Sequence, residues 1–261
     1  PTPLPHVDVV VMETTYGDRL HRSIADSITE LYSAINDAVS RGGNVIIPTF
    51  ALVRTQELLF FLREGIEQGQ LPHGMQVFLD SPMAISATEI FKRYPESYTP
   101  ETTALFKRGQ DPFNLPRLHF TRETAQSMAI NTVVGGAVIM AGSGMCTGGR
   151  VRHHLKHNLW RSNSSIIFVG FATQGTLARQ IIDGAKKVKI FGEEIAVKAK
   201  VYTINGFSAH ADRDELLAWH RHIHPMRTFL VHGEEDIMRS FATKLQDTIV
   251  EMPVRGQTFE L

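Results

Sequence analysis

Three side chains have the types and settings that could do chemistry: Glu13, His210 and His232. Imidazoles and carboxylates are the groups that bind metals and move protons near neutral pH. His210 lies in Phe207-Ser208-Ala209-His210-Ala211-Asp212, a loop that feeds a helix, with Asp212 and Glu215 at capping-box spacing. His232 stands just past Thr228-Phe229-Leu230-Val231, which reads as a short buried strand. Glu13 follows the apolar run Val7 to Met12. In open α/β sheets, loops beyond the carboxyl ends of strands collect ligands. Two imidazoles in such places point to metal binding or proton transfer at one site. Glu13 has two readings on local pattern, a solvated loop carboxylate or one that orients a histidine and raises its pKa. The pattern offers only one or two metal ligands, whereas catalytic zinc usually takes three from the protein.

A second kind of chemistry belongs to the glycine-rich loop Gly142-Ser143-Gly144-Met145-Cys146-Thr147-Gly148-Gly149, set between a strand and a helix. It matches neither the dinucleotide fingerprint nor the P-loop. Its use would be close backbone approach to an anion; the alternative is a tight turn needing several positive φ angles. Gly170 to Thr176 repeats the arrangement more weakly, and Asp80-Ser81-Pro82 and Pro48-Thr49-Phe50 also place polar groups at strand ends. On one sheet edge, these four loops would outline a phosphate-lined cleft. His220, His222 and His224 alternate like a metal motif, yet successive residues at a helix end do not share a face, so they are expected at the surface. His153, His154 and His157 are discounted likewise. Cys146 lacks a sure basic partner and is not assigned as a nucleophile.

The elements that must carry these groups follow from periodicity. Apolar residues at Ile24, Ile28, Leu31, Ile35 and Val39 step as a helix, stopped by Gly42-Gly43. Strands are expected at Val45–Ile47, Gln76–Leu79, Leu118–Phe120, Ala137–Met140 and Ile166–Val169, each followed by a helical stretch. Tyr94 to Asn114 reads as the loosest segment, with a short helix at Thr103–Lys107 at most. Val188–Phe191 and Ile195–Ile204 read as antiparallel strands, a helix spans about Met238 to Leu245, and a last strand is expected near Thr258. Strands alternating with helices mean an α/β fold with a mostly parallel sheet. The 261 residues, 43% hydrophobic, suffice for one large domain or two ordinary ones. With 27 basic against 27 acidic residues, no global field draws the chain to nucleic acid or membrane, so a polyanion would have to be held by local geometry. The one cysteine fits a reducing compartment, and no apolar run approaches the roughly 20 residues of a membrane span. The expected location is cytoplasmic.

METTYGDR around Glu13, FSAHAD around His210 and LVHGE around His232 resemble the three signature motifs of the β-CASP group of metallo-β-lactamase-fold nucleases. IPTFALVRTQELL, LDSPMA, AGSGMCTGGRVRHHLK and VGFATQGTLARQI resemble the same family in its RNA-processing branch, that of the mRNA 3′-end cleavage endonuclease and its bacterial and archaeal relatives. The resemblance runs from Val9 to about Glu235. It implies that His232 is a zinc ligand, that His210 gives a proton to the leaving oxygen, and that Glu13 holds and polarises His210. Ser143, Gly144, Thr147, Gly148, Gln174, Gly175, Thr176 and Ser208 would hold RNA phosphates. The implied fold is α/β: a β-CASP domain over residues 19–192, a mostly parallel sheet flanked by helices. That domain is inserted in the second half of a metallo-β-lactamase αββα fold, represented by residues 1–18 and 193–261.

The family's His-x-His-x-Asp-His motif precedes the stretch matching METTYGDR and is not in this chain. The expectation is therefore a fragment lacking the N-terminal half of the metallo-β-lactamase domain. Zinc, two ions in the full-length protein, would be weak or absent here, and the chain alone inactive. The implied activity is metal-dependent hydrolysis of RNA phosphodiester bonds, with endonucleolytic and 5′–3′ exonucleolytic modes both open. The implied partners are RNA and the missing half, with a homodimer left open and no membrane. The rival readings are a non-catalytic RNA-binding or scaffold subunit and a DNA-directed nuclease. Retention of Glu13, His210 and His232 favours the enzyme, and histidine at the third motif is the RNA-cleaving form.

Overall fold

Short apolar runs bounded by turn residues make the strands of this protein, and helices with one apolar face cover them. The computed structural model describes residues 5–260. In chain order the strands are β1 Val9–Glu13, β2 Val45–Pro48, β3 Gln76–Leu79, β4 Leu118–Phe120, β5 Ala137–Ala141, β6 Ser165–Phe168, β7 Lys187–Ile190, β8 Glu193–Ala196, β9 Lys200–Thr203, β10 Arg227–Val231 and β11 Ile249–Glu251. The helices are α1 Ile24–Ser40, α2 Arg54–Glu67, α3 Pro82–Lys92, α4 Pro100–Lys107, α5 Thr124–Ile130, α6 Val151–Asn158, α7 Leu177–Ile182, α8 Arg213–Ile223 and α9 Glu235–Ala242. Contacts divide the chain into two compact units, Ser23–Phe207 and the pair of segments Pro1–Arg22 and Ser208–Leu261.

The larger unit is built on a sheet of order β4-β3-β5-β2-β6-β9, parallel throughout. Its inner strands β5, β2 and β6 are buried on both faces, as a sheet covered on both sides requires. Alternation sorts them into two cores. Val45, Ile47, Val138, Met140 and Ile167 pack with Leu31 and Ile35 of α1 and Leu58, Leu59, Leu62 and Ile66 of α2. Ile46, Ile139, Ile166 and Phe168 pack with Val151 and Leu155 of α6 and Ala178 and Ile181 of α7. Each fully buried leucine or isoleucine contributes roughly 1.5–3 kcal/mol of transfer free energy. Ser23 starts α1 by accepting from the Asp26 amide. β7 and β8 form an antiparallel hairpin turned by Phe191 and Gly192, both at positive φ.

The smaller unit has a parallel sheet of order β1-β10-β11. Val10, Met12, Leu216, Leu217, Ile223, Leu230 and Phe241 form its core. The capping box expected at Asp212 and Glu215 is formed at the start of α8.

Three expectations are corrected. No strand forms near Thr258 among the described residues, and the last strand is β11, paired with β10. The run Ile195–Ile204 is not one antiparallel strand. The amides of Lys198 and Ala199 donate to the Leu159 carbonyl, and the chain then resumes as β9, parallel to β6. Tyr94 to Asn114 is ordered around packed rings, Tyr98 lying 5.7 Å from Phe106 and 5.9 Å from Phe113, and α4 begins at Pro100 with Thr99 as its cap. The larger unit runs through β9 to Phe207.

One backbone position is strained. Val53 lies at φ 61° and ψ −63°, the centre of a γ-turn closed by the Arg54 amide on the Leu52 carbonyl at 2.7 Å. A β-branched residue is disfavoured there, and this one is exposed, so its side chain returns little burial energy. Val53→Gly is expected to raise stability by about 1 kcal/mol, read as a higher midpoint of urea unfolding. An unchanged or lower midpoint would show the turn to be unstrained.

Candidate active site

Parallel pairing of β1 with β10 sets Glu13 opposite Val231 and so brings the ends of the two strands side by side. The loop before α8 supplies the third group. Among the described residues, Glu13, His210 and His232 form a cluster whose candidate ligand atoms all lie within 4.8 Å of one another. The His210 ring lies against that of His232, with centroids 5.2 Å apart and planes 24° apart. His210 Nδ1 stands 3.1 Å from Glu13 Oε2.

Thr15 joins the two halves of the cluster, and local pattern did not single it out. Its amide donates to Glu13 Oε2 at 3.0 Å. Its hydroxyl donates to the His232 carbonyl at 3.1 Å and lies 3.0 Å from His232 Nδ1 and 3.4 Å from His210 Nδ1. A hydroxyl has one proton. With that proton on the carbonyl, Thr15 Oγ1 can only accept from the ring, so His232 Nδ1 carries hydrogen and Nε2 keeps its lone pair. His210 Nδ1 donates to the Glu13 carboxylate, which leaves Nε2 as its working nitrogen. Burial pushes the Glu13 carboxyl up, but the Thr15 hydroxyl and amide and the His210 imidazole outweigh it and hold the group below the usual range. Glu13 is thus an anion at neutral pH.

Backbone constraints hold these side chains in place. His232 has φ 49°, turning the chain sharply past β10. Gly233 must follow, since a Cβ there would come within 2.2 Å of Thr14 Oγ1. Ser208 Oγ accepts from the His210 amide at 3.1 Å. His21 is a further residue that the sequence did not announce. Its Nε2 donates to the His210 carbonyl at 2.9 Å, its amide donates to Asp212 Oδ2 at 3.0 Å, and its ring meets Tyr16 edge-on. Because a carbonyl only accepts, Nε2 carries the hydrogen; His21 Nδ1 is buried without a hydrogen-bond partner.

The residues expected to hold phosphates divide between the units, Ser208 in the smaller and the rest in the larger. In the larger unit the loops after β2, β3, β5 and β6 follow adjacent parallel strands and therefore share one sheet edge. The glycine loop is turned by bonds from Ser143 N to the Gly148 carbonyl and from Cys146 N to the Ser143 carbonyl. Among the described residues, the N–H groups of Gly144, Met145, Thr147 and Gly148 donate to no protein acceptor. The Ser143 hydroxyl is directed to the Gly148 carbonyl, and the Thr176 hydroxyl caps α7 while donating to the Thr173 carbonyl. Backbone amides, more than these two hydroxyls, are what the loop offers an anion. Thr173 N reaches Met145 Sδ and Ala178 N the Met145 carbonyl, so the loop containing Gln174 and Gly175 sits against the glycine loop.

Two histidines expected at the surface are buried. His220 Nε2 lies 2.8 Å from Thr228 Oγ1, because the α8 face that carries it packs toward β10. His154 Nε2 lies 2.6 Å from Asp80 Oδ2, and Asp80 also accepts from Thr121, Ser127 and Arg150. This group knits the ends of β3 and β4 to the start of α6. Cys146 is buried, which pushes its thiol up to about 12 and leaves it protonated and unreactive.

Residues 55–181 match the family model of the Beta-Casp domain, and residues 194–253 that of the Zn-dependent metallo-hydrolase RNA specificity domain. A ribonuclease of Thermus thermophilus is 41% identical over 233 residues, covering 89% of this chain and 53% of that protein. The transcription termination factor FttA of Methanocaldococcus jannaschii is 34% identical over 248 residues, 91% of this chain and 39% of that protein. An RNase J-like protein of the same organism is 31% identical over 261 residues, 98% of this chain and 59% of that protein. The chain thus spans between 39% and 59% of the length of these relatives. Its two domain matches and its mostly parallel α/β sheets place it in a single group: the chain belongs to the β-CASP family of the metallo-β-lactamase fold.

Proposed function

We propose that this chain carries the proton-transfer side of the active site of a zinc-dependent ribonuclease acting in RNA processing or decay. The observation that carries the reading is the cluster of Glu13, His210 and His232, with Nδ1 of each ring engaged and Nε2 of each ring open. The names of the relatives and of the second domain match support RNA as the substrate. The division into a β-CASP domain at 19–192 and metallo-β-lactamase segments on either side draws support from the two domain matches, while packing favours an exit at Phe207.

One carboxylate and two imidazoles are donors of the type zinc accepts, and the Nδ1–H tautomer that Thr15 imposes suits His232 Nε2 as a ligand. Bound zinc would act as a Lewis acid, stabilising charge that develops on the phosphoryl oxygens. The remaining steps fall to the chain's own residues. Water adds to phosphorus while the bond to the 3′ oxygen breaks, His210 gives its Nε2 hydrogen to that departing oxygen, and the proton the water sheds to solvent is the equivalent that later restores His210. Glu13 holds the imidazole in place through Nδ1. Ser208 and the loop amides of Gly144, Thr147, Gly148 and Gly175 are assigned to the backbone phosphates, with Ser143, Gln174 and Thr176 shaping the loops.

The active protein is expected to release RNA fragments bearing 5′ phosphates, and chelation should stop it. Products ending in 2′,3′-cyclic phosphate, which arise without water attack, would sink the hydrolytic reading. For the chain by itself, the described residues supply one three-donor cluster. Elemental analysis is expected to find substoichiometric zinc; two tightly held ions per chain would overturn that assignment.

A further inference from the structure

The larger unit has a reversal in its sheet that no assigned role uses. From β2 the chain leaves through α2, which packs in one core, whereas from β5 and β6 it leaves through α6 and α7, which pack in the other. β2 lies between β5 and β6. Its carboxyl end is therefore a topological switch point, where loops part and leave a crevice. A depression opens there, lined by Thr49, Phe50, Arg54, Gly144, Gly170 and Phe171. Phe50 is 48% exposed, although it directly follows the buried strand β2 and Thr49. Its ring lies against Gly144, where a Cβ would come within 2.6 Å of Phe50 Cε2. The glycine thus lets an exposed aromatic ring sit beside the uncommitted amides of Gly144, Met145, Thr147 and Gly148.

A flat apolar face next to a set of anion-seeking N–H groups matches a nucleotide, a flat base joined to a phosphate. We propose that Phe50 is the stacking platform for an unpaired base of single-stranded RNA whose adjoining phosphate occupies the glycine loop. The inference rests on the RNA reading above and extends it to substrate form. A base within a duplex has both faces covered by its neighbours and cannot stack on Phe50, so the site selects unpaired strand. The formal net charge of the chain is zero, so its overall charge adds no attraction for a polyanion and such a platform matters more. Base–aromatic stacking is sequence-tolerant, and its loss on truncation corresponds to about a tenfold weakening.

The test is fluorescence anisotropy of a labelled short oligoadenylate with this chain over a range of salt concentrations. Phe50→Ala is expected to weaken binding about tenfold with the salt slope unchanged. Phe50→Leu, which keeps apolar packing on Gly144, should fall alike, and Phe50→Trp should restore the affinity. Thr147→Glu should weaken binding and also lower the salt slope, as loss of a phosphate contact does. Full affinity in the Ala and Leu variants would overturn the platform, as would an equal loss for an abasic strand. If Thr147→Glu still weakens binding in that case, the RNA reading stands without it. If the chain binds no single-stranded RNA, both fall.

Discussion

Replacing His210 by alanine in the proposed full-length enzyme is expected to lower turnover by roughly a hundred- to ten-thousand-fold, the usual worth of a positioned general acid. KM changes little, since the ring is assigned to the departing oxygen and not to substrate binding. The reason lies in the pair it makes with Glu13 at 3.1 Å, which fixes Nδ1 and leaves Nε2 for proton transfer. Glu13→Gln keeps an acceptor for His210 Nδ1 but removes the charge, so its loss should be smaller. Zinc measured in the purified His210→Ala variant should stay near the amount in the unmodified enzyme. Loss of zinc there would make His210 a ligand and undo its role as proton donor. Unchanged turnover would remove it from the chemistry altogether.

Asp80→Ala should unfold the larger unit far more easily, by about 3–5 kcal/mol, the cost of breaking a buried ion pair from one side. Asp80 is fully buried and accepts from Thr121 Oγ1 at 2.6 Å, Ser127 Oγ at 2.6 Å and Arg150 Nη1 at 2.9 Å, with His154 Nε2 at 2.6 Å. Removing its carboxylate takes that acceptor from all four, and leaves Thr121 Oγ1 with the Leu79 carbonyl alone. Arg150 also holds the Thr121 and Arg122 carbonyls, so the loss reaches the end of the glycine loop. Burial pushes the Asp80 carboxyl up, but the bonds from His154, Ser127 and Thr121 prevail and take it from 3.8 down to about 2. A depressed carboxylate stabilises the fold fully above its unfolded value and loses that contribution as pH falls through the folded one. About 2 kcal/mol should therefore disappear between about pH 4 and pH 2. Urea midpoints for the unmodified protein and Asp80→Asn should converge across that interval. Parallel curves would deny the network its stabilising role.

Most elements and the candidate cluster were legible for a common reason: they are marked by their immediate neighbours. β3 and β4 are short apolar runs between polar turns, and Asp212 caps α8 with a partner three residues away. Such features depend on local torsions and side-chain reach, which adjacent residues decide. The motif stretches around Glu13, His210 and His232 were visible in the same way.

What sequence spacing could not supply was contact across long separations. His154 looked like one more surface histidine until the fold set it against Asp80, 74 positions earlier. Thr15 and His21 lie close to Glu13 in the chain, yet each matters through a contact about 190 or more positions away. β9 seemed to continue an antiparallel hairpin and instead pairs parallel with β6. The sequence by itself marked most strands and helices and the candidate residues Glu13, His210 and His232. Tertiary structure alone decided which of them meet. Strand order and parallel register close those distances, and they are settled by competition among whole faces for burial, a quantity that no local stretch contains.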